Sequence, residues 1–106
     1  MKIEVPYILD AKLLKGKTPT YEDWVKTNEY LINELITHAA TILINDESVK
    51  SINIIELFID SDVYTVMSLD RRGLEKTIKK VIDSWTRLEN YERASDLSYL
   101  LSKINK

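Results

Sequence analysis

Apolar residues in the last third of the chain fall at Leu74, Ile78, Val81, Ile82, Trp85, Leu88, Tyr91, Ala94, Leu97, Leu100, Leu101 and Ile104, at intervals of three and four. That is the spacing of one helical face. The same interval links Trp24, Asn28, Leu31, Ile32, Leu35, Ile36, Ala39, Ile42 and Leu43, and predicts a long first helix over 20–45. Its start is well marked: the Thr20 hydroxyl can cap free backbone N–H groups, and Glu22 and Asp23 place negative charge where the helix dipole favours it.

The middle of the chain is ambiguous. Val49, Ile52, Ile55 and Ile59 keep a helical interval, yet the run from Ile52 to Ile59 is β-branched and apolar enough for a strand. Flanking helices favour a second helix of about 12 residues, with Asp60-Ser61-Asp62 as a turn and Val63 to Leu69 as a short helix or irregular crossover. Residues 47–69 are therefore read as helix or strand plus crossover. Asp70 is placed to cap a third helix running to about Leu88, and a fourth runs from Tyr91 to Ile104, so that 70–104 forms a helical hairpin. The alternative is one continuous helix of about 34 residues, which would expose much of its stripe and require a partner. At the other end, Pro6 biases Val5 away from helical angles, and residues 1–19 read as an extended arm or short edge strand. The pattern thus predicts a mainly α, all-helical bundle of about four helices with a short extended N-terminal arm.

Composition narrows this further. A chain of 106 residues suits a single domain, because two independent cores of half that size would each be marginal. Apolar residues make up 44% and charged residues 30%, ordinary globular usage. Two glycines and two prolines are few for a sandwich or barrel built on many tight turns. No run approaches the length of a membrane span, and Glu4, Pro6 and Asp10 interrupt any signal-peptide core. The absence of cysteine excludes disulfides and zinc–sulfur sites, and a cytoplasmic location is expected. Thirteen isoleucines, and eleven lysines against four arginines, resemble the usage of low-GC bacteria and their phages.

Chemistry offers little to build on. His38 is the only histidine, so a His-rich metal site or a histidine acid–base pair is excluded by count; beside Ile36, Ala39 and Ala40 it reads as a residue flanking the core. Asp60-Ser61-Asp62 with Glu56 upstream could hold a hard cation through oxygen ligands, but it lacks the further ligands and the glycine of an EF-hand loop and reads as a turn. The tyrosines could stack on bases, yet they are not interleaved with arginines; Trp24 and Trp85 fall on apolar faces. There is no glycine-rich phosphate loop, serine elbow or H-E-x-x-H pattern. No catalytic residue, cofactor or metal is expected.

The stretch Leu88-Glu89-Asn90-Tyr91-Glu92-Arg93-Ala94-Ser95-Asp96-Leu97 resembles the core of the UVR motif, an acidic or aromatic turn followed by an aromatic-Glu-x-Ala-Ala step and a leucine. Ser95 stands in place of the second alanine and Ser98-Tyr99 in place of the usual Arg-Asp. With the preceding helix the likeness covers about 30 residues, approximately 74–104. It implies an antiparallel helical hairpin that pairs with a second hairpin.

These readings converge on a small non-enzymatic interaction protein, an adaptor, inhibitor or regulator, that buries an apolar helical face against a protein partner or a second copy of itself as a homo-oligomer. The interface candidates are Leu74, Ile78, Trp85, Leu88, Tyr91, Leu97 and Leu101. The alternative is a nucleic-acid accessory protein that contacts anions through Lys12, Lys15 and Lys17 in the arm and through Arg71 and Arg72. A net charge of −2 and a pI near 5.4 give it no general attraction to phosphate backbones. A weaker third reading is a small-ligand pocket between subunits.

Overall fold

The computed structural model describes residues 5–10, 21–59 and 62–104. Its elements are β1 (Tyr7–Asp10), α1 (Tyr21–Thr27), α2 (Glu29–Asn45), β2 (Ser51–Ile59), β3 (Asp62–Asp70), α3 (Leu74–Arg87) and α4 (Tyr91–Ile104). The strands form one mixed sheet in the order β1-β2-β3, with β1 parallel to β2 and β2 antiparallel to β3. The architecture is therefore α/β, which corrects the all-helical bundle expected from the spacing.

The correction falls on residues 51–70. The β-branched and aromatic side chains of this stretch suit a pleated, half-buried surface, and β2 and β3 pair up to Ile59 opposite Asp62. Pairing also slips at Ile54: Asn53 opposes Ser68 and Ile55 opposes Met67, so Ile54 has no opposite residue. Ile54 and Ile55 are consecutive and both buried. That bulge breaks the two-residue period and leaves Ile52 and Ile55 at a helical interval, which is why the sequence pattern reads either way. Of the two readings of the N-terminal stretch, arm or short edge strand, the described part takes the second, with Tyr7–Asp10 forming β1 at the edge of the sheet.

One face of the sheet holds Leu9, Ile55, Leu57 and Leu69, all buried. On β1, Tyr7 stacks on Trp24 of α1, with ring centroids 6.0 Å apart. The predicted first helix is divided at Asn28, whose side chain turns back and donates to the Trp24 carbonyl at 2.8 Å. Helix α2 is the element that meets both halves of the molecule, packing on β2 and β3 and also on α3 and α4. Accordingly it is buried over a wide arc, with Leu35, Ala39, Ala40 and Leu43 fully covered.

The last two helices are separate. Glu89 adopts φ 62°, the left-handed conformation that ends many helices, and the Asn90 N–H then donates to the Trp85 carbonyl at 2.9 Å. The Asn90 side chain accepts from the Arg93 N–H at 3.2 Å and so caps the first turn of α4. At the start of α3, the Asp70 carboxylate accepts from the Gly73 N–H at 2.8 Å, but the helix begins at Leu74, after Arg71 and Arg72 have turned out of the sheet.

Candidate interaction site

The predicted site residues separate by burial. Leu74, Ile78, Trp85 and Leu97 are buried in the chain's own core, against α2 and one another, and present nothing to a partner. Leu101 is half-buried beside that core. Leu88 and Tyr91 remain at the surface, 39% and 62% exposed. The difference is geometric: α3 and α4 fold against each other and against α2 and cover most of the stripe internally, whereas Leu88 and Tyr91 flank the turn between them.

A second exposed aromatic lies at the same end of the helix pair, through its contact with Trp85 on α3. Tyr30, in the first turn of α2, is 56% exposed, and its ring meets the buried Trp85 ring edge-on with centroids 5.0 Å apart. Helical periodicity did not single out Tyr30, because it lies outside the apolar stripe of α2. Its signal is contact with the tryptophan, visible only in three dimensions.

Polar contacts fix the base under this cluster. The Trp85 indole Nε1 donates to Thr37 Oγ1 at 3.3 Å, and Thr37 Oγ1 donates to the Asn33 carbonyl at 2.7 Å. Asn33 Nδ2 donates to Ser84 Oγ at 2.7 Å, Ser84 Oγ donates to Glu29 Oε2, and Arg87 grips both oxygens of Glu29. The Arg87 guanidinium, helped by the Ser84 hydroxyl, holds the Glu29 carboxyl below its ordinary range. On α4, Arg93 Nε donates to Glu34 Oε1 at 2.7 Å, and the Glu34 side chain is almost covered. Two acidic residues of α2 thus anchor the two ends of the α3–α4 turn, and Tyr30, Leu88 and Tyr91 are presented at that end of the helices.

The anion-contact candidates divide as well. Lys12, Lys15 and Lys17 lie outside the described residues. Arg71 is occupied: one terminal nitrogen donates to the carbonyls of Leu43 at 2.7 Å, Asp46 at 3.0 Å and Val49 at 2.7 Å. It braces the end of α2 and the turn that follows. Arg72 is exposed beside an open depression lined by Lys50, Ser51, Ser68, Asp70 and Arg71.

His38 is exposed on α2. Asp60 and Ser61 lie outside the described residues, and Glu56 accepts from Asn53 Nδ2 at 3.2 Å. Among the described residues no cluster of three His, Cys, Asp or Glu could hold a metal ion, and no helix is long and apolar enough to cross a membrane. No family model, curated protein or solved structure matches the chain.

Proposed function

We propose that this chain is a non-enzymatic protein-interaction module that docks a protein partner on the cluster of Tyr30, Leu88 and Tyr91. The observation that carries this reading is the pairing of exposed aromatic rings with a rigid base: Tyr30 rests on a fully buried tryptophan, and two ion pairs tie the helices beneath it. Aromatic side chains with few free torsions supply much of the binding energy at protein interfaces, and little ordering entropy is lost when the backbone beneath them is already fixed. The polar surround of Arg87, Glu89 and Glu92 fits the rim of such an interface.

The test compares proteins captured from the native host by the intact chain and by the Tyr30→Ala/Tyr91→Ala variant, quantified by mass spectrometry. A partner retained by the parent and depleted roughly tenfold or more on the variant is expected, as for loss of interface anchors. Identical captured sets, with the variant's melting temperature unchanged, would overturn the assignment.

A further inference from the structure

The sheet has two edges, and the chain treats them differently. A free edge exposes unpaired N–H and C=O groups that template pairing with another strand, and proteins commonly blunt such edges with proline, lysine or very short strands. The β1 edge is blunted: it is four residues long and follows Pro6. Strand β3 is nine residues long, and among the described residues nothing pairs with its outer side. It contains no proline and no basic residue, and its only charges, Asp62 and Asp70, stand at its two ends. One irregularity falls near its start, where Phe58 opposes Val63 and Leu57 opposes Thr65, so that Tyr64 is skipped. From Thr65 to Asp70 every residue of β3 has a partner on β2.

The inner face of that regular stretch is incompletely covered. Leu69 is buried, but Met67 and Thr65 are only half-buried, and on the outer face Val66 is 40% exposed. An added strand would cover them. The two ends of β3 also differ in charge. Asp62 is exposed at the hairpin end, while at the far end Asp70 is outnumbered by Lys50, Arg71 and Arg72 around an open depression.

We infer that β3 is the joint between two copies of this chain, paired edge to edge and antiparallel about a two-fold axis through Met67, so that two three-stranded sheets become one of six strands. An antiparallel join brings the acidic hairpin tip of each copy to the basic end of the other, and that charge complementarity marks a second copy as the occupant. It also selects the register. With the axis on Met67, Thr65 opposes the partner's Leu69, Val66 opposes the partner's Ser68, and the two Met67 side chains meet. Once the skipped Tyr64 is counted, Asp62 then reaches the Arg71–Arg72 corner of the partner. Moving the axis to Val66, with the same skip counted, sets Asp62 opposite the partner's Leu69 and next to its Asp70 instead of at the Arg71–Arg72 corner, and neighbouring like charges disfavour a strand pair.

Sedimentation of the full chain and its exposed charge variants tests this. The parent is expected to run at twice its 12.4 kDa mass. Asp62→Arg and Arg72→Asp are each expected to weaken association by about tenfold, since each places like charges at both ends of the joint. The double swap Asp62→Arg/Arg72→Asp restores it. Circular dichroism verifies folding, and the cysteine-free chain allows a check that needs no charge change: under oxidation Met67→Cys forms an intermolecular disulfide, because directly opposed strand residues lie within disulfide reach. A monomer at about 100 µM, where even weak specific pairing would register, overturns the proposal. So does a dimer that ignores both swaps, a double swap that recovers nothing, or the absence of a Met67→Cys cross-link. The Tyr30→Ala/Tyr91→Ala variant should remain dimeric, so failure of this joint and failure of the docking cluster are separate results.

Discussion

Tyr30 meets Trp85 edge to face, with ring planes at 83° and centroids 5.0 Å apart, so an exposed ring of α2 is supported by the largest fully buried side chain of the core. Stability and presentation of the surface cluster therefore share a residue. Trp85→Ala should destabilise the fold by roughly 3–5 kcal/mol, the range for deleting a large buried aromatic. Chemical denaturation measures this. A loss below about 1 kcal/mol would mean that the surrounding helices close over the cavity, which cores rarely achieve.

The helical part of the fold was legible because α2, α3 and α4 each carry an apolar face at regular three- and four-residue intervals. The sheet was not. In β3 residues alternate, with Thr65, Met67 and Leu69 on one face and Val66, Ser68 and Asp70 on the other. That alternation was outweighed by β2, where the bulge at Ile54 puts two isoleucines inward in succession. The site was half legible. Leu88 and Tyr91 stand in the apolar stripe, but nothing in that stripe distinguishes them from Trp85 or Leu97, because periodicity reports which side of a helix is apolar and not which part of that side the fold covers.

Arg71 is expected to be structural. One of its two terminal nitrogens serves three carbonyls at the end of α2 and in the following turn, among them that of Leu43 in the last helical turn, where carbonyls lack intrahelical partners. Arg71→Ala should cost roughly 2 kcal/mol, in line with hydrogen bonds from a charged donor. Arg71→Lys should recover only part of it, since an ammonium cannot reproduce the planar guanidinium geometry. Melting temperatures of the two variants check the order parent, Lys, Ala.

Glu89 occupies the left-handed region at φ 62°, where a side chain with a Cβ is strained and glycine is not. Glu89 is exposed, and among the described residues its hydrogen bond is a backbone one, its N–H donating to the Thr86 carbonyl at 3.0 Å. Glu89→Gly should therefore stabilise the hairpin by about 0.5–1 kcal/mol, the relief of strain exceeding the added freedom of the unfolded chain. An urea midpoint at or below the parent's would show that the turn bears no strain.

Glu29 should make the α2–α3 contact sensitive to acid. Its carboxyl is held below the ordinary value by the Arg87 guanidinium first and the Ser84 hydroxyl second. A carboxyl whose folded pKa is depressed binds its proton more readily in the unfolded chain. Its contribution is thus fully present above the unfolded value, about 4.3 for glutamate, and is lost as the pH falls through the lower folded value. Neutralising the group should remove that dependence. Glu29→Gln is expected to be less stable than the parent near neutral pH, with the gap closing as the pH falls below the ordinary carboxylate range. Denaturation of both proteins across that range is the measurement, and two parallel stability curves would show that the Glu29–Arg87 pair does not couple protonation to folding. Because Ser84 connects Glu29 to Asn33 inside the helix pair, the same acid step should loosen the base beneath Tyr30, and the tryptophan fluorescence of the parent should shift over the pH interval in which its stability falls while that of Glu29→Gln does not.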